Sequence, residues 1–111
     1  MEAMNRSRLL AMHRELCEEA RGLSERKNHD YSGGKDDSLP FLNFTRCESM
    51  GICKTEAGIL VRMTDKMSRL STFVTTGEFK VKDEALRDTV LDMINYAIIL
   101  YAYTQSQKNH E

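Results

Sequence analysis

Residues 83–103, DEALRDTVLDMINYAIILYAY, constrain the fold more than any other stretch, because one helical pattern runs through them and then closes around the whole helix. At roughly 100° per residue, Leu86, Val90, Met93, Ile94 and Ala97 fall on one stripe, while Glu84, Asp88 and Asp92 recur at every fourth position on another. Beyond Asn95 the polar row stops. Ile98, Ile99, Leu100, Tyr101 and Tyr103 then occupy almost every direction around the axis. A helix that is apolar on most sides is buried on most sides, so the remaining elements are expected to pack around this one. A second subunit is expected to cover what they leave. The acids leading into it have two readings: a solvated face, or carboxylates whose burial a divalent cation offsets.

The rest of the chain is also helical in period. Residues 5–27 place Leu9, Met12, Leu16, Ala20 and Leu23 on one stripe, with His13 and Cys17 at its edge and Ser7 as a weak candidate N-cap. Glu15, Glu18 and Glu19 lie opposite, where a solvated row is the default, and Lys27 returns to the apolar side. From Lys27 to Asp37, KNHDYSGGKDD reads as a glycine-rich loop. It gathers Lys27, Asn28, His29, Asp30 and Tyr31, the mixture of cation, amide, carboxylate and ring that a small polar ligand needs, although turns favour some of the same residues. Pro40 suits the first turn of a short helix that presents Phe41 and Phe44 to the core, carries Asn43 between them and ends at Gly51. Thr55 is the candidate N-cap and Gly77 the stop of the next helix, whose core stripe is Ile59, Leu60, Met63, Met67, Leu70, Phe73 and Val74. Beside that stripe run Arg62, Asp65, Lys66 and Arg69, either an intrahelical charge ladder or cations set to grip phosphate. The only hint of a strand, FKVKD around Val81, is too brief for a sheet.

These patterns predict an all-α bundle of three long helices and one short one, a single domain over 1–111 with its ordered core at about 5–105. With 111 residues the chain gains from oligomerisation, since a small domain struggles to cover its own apolar faces. Its 16 basic against 17 acidic side chains give no clustered basic footprint, which argues against nucleic-acid polymers and anionic membranes as partners. Cys17, Cys47 and Cys53 lack zinc-site spacing and read as reduced thiols, and the polar start MEAMNRSR reads as neither signal nor membrane span, so a cytoplasmic protein is expected.

KNHDY at 27–31, Asn43 with Phe44, GILVRMTDKMSRL at 58–70 and DEALRDTVLDMINYAIIL at 83–100 resemble, in order and spacing, the nucleotide modification-associated domain, the first of the families of that name. Those are small helical proteins of phages and bacteria. A looser similarity connects them to the MazG-like all-α nucleoside-triphosphate pyrophosphohydrolases. The resemblance implies a role in nucleotide metabolism and, at its most specific, magnesium-dependent hydrolysis of a ribo- or deoxyribonucleoside triphosphate to monophosphate and pyrophosphate. Manganese is an alternative to magnesium, as oxygen ligands without a Cys or His pair suggest. The metal expectation falls on Asp30, Glu84, Asp88 and Asp92, with Asp65 as a further candidate, although the acids are spaced differently from the paired glutamates of the pyrophosphohydrolases. Asp30, Asp88 and Asp92 carry the catalytic expectation, and Lys27, Asn28, Tyr31, Asn43, Arg62, Lys66 and Arg69 the substrate-binding one. The competing expectation is a non-catalytic nucleotide-binding module in nucleotide or DNA modification or in phage counter-defence.

Overall fold

In the computed structural model four helices follow one another: α1 (Arg6–Tyr31), α2 (Leu42–Ser49), α3 (Thr55–Thr76) and α4 (Asp83–Lys108). The structure describes residues 3–31, 40–77 and 83–108, with the side chains of 29–31 and 83–84 outside that description. Among the described residues there is no strand, and no helix is long and apolar enough to cross a membrane. The stretch around Val81 and the Gly33–Gly34 pair lie outside the described residues.

Helix α4 is the hub: α1 and α3 both pack on it, and α2 packs on α3. Thr89 and Leu91, 3% and 2% exposed, point in nearly opposite directions, so α4 is covered from two sides. That is why its apolar residues do not keep to one stripe. Leu86, Val90, Met93 and Ile94 are only half-buried, while Thr89, Leu91, Asn95 and Tyr103 take the deepest positions. The main core joins Phe44, Ile59 and Tyr103, with Phe41, Met63, Tyr96, Ile99 and Leu100 packed against it. Two edge-to-face ring pairs lock α2 onto α4, Phe41 with Tyr103 at 5.4 Å and Phe44 with Tyr96 at 6.3 Å.

Local signals set several boundaries. Asn5 Oδ1 accepts the Arg8 N–H at 2.9 Å, so Asn5, one turn before Arg8, caps α1 and Ser7 does not. Gly77, at φ 78°, closes α3 by donating its N–H to Phe73 O, and Gly51, at φ 76°, turns the chain out of α2. Thr55 begins α3 from inside it, as the first helical residue. Its N–H is satisfied from another element, by Glu48 Oε1 of α2 at 2.9 Å.

Two expectations are corrected. Residues 27–31 belong to α1 and are not a loop, because tertiary bonds from Lys27 and Asn28 hold the last turns in helix against their turn-forming composition. Several residues expected in the core stand exposed: Leu9, Met12, Leu60, Met67 and Val74; Ile98 and Tyr101 on α4, expected at a subunit contact, are also exposed in the single chain. Along α1 every residue from Ala3 to Glu15 except Arg8 is exposed, since that half of the helix projects beyond the contact with α4.

The acid row of α1 has a structural task at that contact. Arg87 of α4 donates from Nη2 to Glu15 at 3.1 Å and from both Nε and Nη2 to Glu19. The hydrogen bond to Glu19, followed by the pull of its charge and of Glu15, holds the Arg87 guanidinium protonated beyond its ordinary range. All three groups are well exposed, so screening keeps the stabilisation small.

Candidate functional site

Where α1, α2 and α4 meet, with Arg62 of α3 at the edge, a cleft of about 360 Å³ opens. Its walls are Phe41, Phe44, Tyr96, Ile98 and Ile99, and its polar groups are Ser24, Lys27, Asn28, Arg62, Asp92 and Asn95. An apolar cavity of this size with a few convergent polar groups is the usual form of a small-molecule site.

The charged end is built around Asp92. Lys27 Nζ lies 3.2 Å from Oδ1 and Lys66 Nζ 3.1 Å from Oδ2, one lysine from α1 and one from α3. Asp92 and Lys66 are 18% and 16% exposed while Lys27 is 42% exposed, so the Lys66 arm is the better shielded from solvent. Two lysines thus face the Asp92 carboxylate, and Lys66 is shared with the exposed Asp65, 3.9 Å from its Oδ2. Arg62 adds a third cation, its guanidinium 4.8 Å above the Phe44 ring.

Asn95 supplies the floor. It is 8% exposed, lines the cleft beside Asp92 and Tyr96, and has no hydrogen-bond partner among the described residues. The amide keeps contact with the solvent of the cleft: the fully buried side-chain polar atom without a partner among the described residues is Thr55 Oγ1. The Asn95 donor and acceptor face the open volume.

The expected site residues separate into groups. Lys27, Asn28, Arg62 and Asp92 meet at the cleft. Asn28 is engaged there, donating from Nδ2 to Pro40 O at 2.6 Å and tying the end of α1 to the entry of α2. Lys66 reaches the site through Asp92 without lining it. Asn43 faces a separate cavity on the other side of Phe44, and Arg69 pairs on the surface with Asp65 at 3.7 Å. Asp88 is exposed, and the side chains of Asp30, Tyr31 and Glu84 lie outside the described residues. Ser24, Phe41, Asn95 and Tyr96 are contributors that sequence reasoning passed over. The available signal was Asn95 itself, one amide set in a helix that is otherwise apolar on most sides.

Among the described residues no group of three or more Asp, Glu, His or Cys is gathered as a cation needs, and the one carboxylate of the cleft is engaged by two ammonium groups. The described residues do not fit a magnesium site. Comparison of the chain with protein-family models, curated proteins and solved structures finds no match in any of the three.

Proposed function

We propose that this protein is a nucleotide-binding module of nucleotide metabolism, whose cleft takes the base among Phe41, Phe44 and Tyr96 and directs the phosphates toward Lys27 and Arg62. The observation that carries the proposal is Asn95: an amide on the wall of an aromatic cleft, on a residue 8% exposed and without a protein partner among the described residues, suits the mixed donor and acceptor edge of a nucleobase. Lys27 and Arg62, which line the same cleft, suit phosphate oxygens. The sequence resemblance points the same way. No catalytic step is assigned to these residues: the side chains of Asp30 and Glu84, two of the four acids expected to hold a metal, lie outside the described residues.

The test is calorimetry with ribo- and deoxyribonucleoside mono- and triphosphates, with and without magnesium, beside an assay for pyrophosphate release. Saturable binding without magnesium and without turnover is expected. Pyrophosphate release would replace this reading with the hydrolase, and the absence of binding by every nucleotide would remove both.

The same reading includes self-association. The chain has a radius of gyration of 16.3 Å, against about 13 Å for a compact domain of similar length. Its accessible surface is 8671 Å², against roughly 6,300 Å² for a compact monomer of 12.8 kDa. The excess exceeds the roughly 800 Å² per partner of a standard interface, and Leu9, Leu10 and Met12 on α1 with Ile98 and Tyr101 on α4 are apolar surface for it. Light scattering is expected to find a dimer or larger assembly at micromolar concentration. A monomer there would refute this part alone.

A further inference from the structure

The second cavity, about 280 Å³, lies behind Phe44 and has two thiols in its wall, Cys47 from α2 and Cys53 from the turn into α3. The main chain folds back between them: Ile52 N–H donates to Cys47 O at 2.9 Å, and Cys53 N lies 3.4 Å from the same oxygen. Gly58 is what lets both sulfurs approach α3. A methyl group placed on it would lie 2.8 Å from Cys47 Sγ and 3.6 Å from Cys53 Sγ, so the two sulfurs rest against one bare patch of helix. They also interact directly. A hydrogen bond with Cys47, then desolvation, then the neighbouring charges of Cys47 and Glu48 push the Cys53 thiol above its ordinary range. Both residues are half-buried, and Arg62 borders the same cavity.

We propose that Cys47 and Cys53 form a reversible dithiol–disulfide site that exchanges with low-molecular-weight disulfides carrying carboxylates, of which oxidised glutathione is the type. The cavity opens one side of the two sulfurs to a disulfide bond presented at its mouth, and Arg62 on its wall offers a cation to a carboxylate of the small molecule. The Cys47 thiolate attacks one sulfur of the small disulfide, forming a mixed disulfide and expelling one small thiolate, which takes up the proton that Cys47 lost. Cys53, beside the same glycine of α3, acts second. Its thiolate attacks the Cys47 sulfur, closes the protein disulfide and expels the second small thiol. Two protein thiols and one small disulfide become one protein disulfide and two small thiols, and the two electrons lost by the protein reduce the small disulfide. Cys17, exposed on α1 with His13 Nδ1 3.8 Å from its sulfur and no second thiol beside it, is the internal control for disulfide closure.

The full chain is equilibrated with reduced and oxidised glutathione at graded ratios, quenched with acid, and read by intact mass and peptide mapping. The expected result is loss of two hydrogens within the peptide joining Cys47 to Cys53, with a single midpoint, while Cys17 only gains glutathione. Cys53→Ser is expected to stop at a glutathione adduct on Cys47. Separate adducts on both cysteines of the wild-type chain, an intermolecular disulfide, or two thiols that stay free at every ratio would each overturn the proposal. The wild-type measurement decides the matter even if the variant does not fold.

Discussion

Replacing Asn95 by Leu separates the two contributions of that side chain, because the substitution is expected to strengthen the fold and weaken the site. In the ligand-free protein the residue is 8% exposed and its amide, without a protein partner among the described residues, keeps some contact with solvent, so it carries the lower part of the desolvation cost of a buried amide, which an apolar side chain lacks. That cost is on the order of 1–3 kcal/mol, and Leu adds a few tenths of a kcal/mol in helix propensity. The larger side chain has room in the adjoining cleft, which limits overpacking. With the amide partly hydrated, the sum is a gain of about 1 kcal/mol. With an unfolding entropy of roughly 2.1 cal/mol/K per residue, a chain of 111 residues gains about 4 °C in Tm for each kcal/mol, hence about 4 °C here. Nucleotide affinity should fall by about 2 kcal/mol, close to 30-fold in Kd, because the base edge loses its partner. Thermal melting and calorimetry on the same preparation read both quantities. A lower Tm would show that the amide is bonded inside the fold and is not held open for a ligand; a higher Tm with unchanged affinity would move the ligand elsewhere.

Other perturbations follow from neighbouring contacts. Asp92→Asn should cost about 2 kcal/mol, mostly from leaving Lys66 short of its counter-charge, with the Lys27 share discounted for solvent. Inorganic pyrophosphate, measured by calorimetry at low salt, should nevertheless bind this variant more tightly; weaker binding would make Asp92 a direct participant. Glu48→Ala should cost about 1 kcal/mol in urea unfolding, the worth of a lost cap, since Thr55 N–H loses its acceptor; an unchanged midpoint would show that solvent replaces it. Gly58→Ala gains helix propensity of about 1 kcal/mol but meets Cys47 Sγ at 2.8 Å, and overpacking of about 1–3 kcal/mol should win. Adding Cys47→Ala should restore stability, and a purely additive pair would refute the contact.

What the sequence disclosed was governed by local chemistry. Gly51 and Gly77 stop their helices because the left-handed backbone they adopt favours glycine, and that preference is written in the residue itself. The hub role of α4 was legible for a similar reason: apolar residues on most sides leave a helix few other positions. Lys27 was readable as a core-side cation because periodicity carries through to it. Contacts between distant segments were not legible. Arg62 sits at ladder spacing from Asp65 but lies over Phe44, and nothing in α3 alone selects the ring. Residues 27–31 have turn composition, yet Asp92 and Pro40 hold their last turns in helix. The exposed Leu9 and Met12 obey the helical period perfectly well; the period shows that a stripe exists but says nothing of how far the neighbouring helix extends.

The bond from Glu48 to Thr55 bears on the order in which the chain assembles. It spans seven positions, and the turn between Cys47 and Ile52 is tighter still, so the α2–α3 corner can close with little loss of chain entropy. The links that fasten α1 to α4 join residues 65 to 72 positions apart and depend on nearly the whole chain being present. Contacts of that separation form late. The cleft, which takes walls from both sets, is therefore completed only in the last step of folding. Detachment of α1 is correspondingly the least costly partial opening, and it would uncover Phe41, Phe44 and Asn95 without disturbing the corner behind them. Amide hydrogen exchange in α1 should outpace that in α3, and a ligand seated in the cleft should slow it first at the end of α1 that carries Lys27 and Asn28.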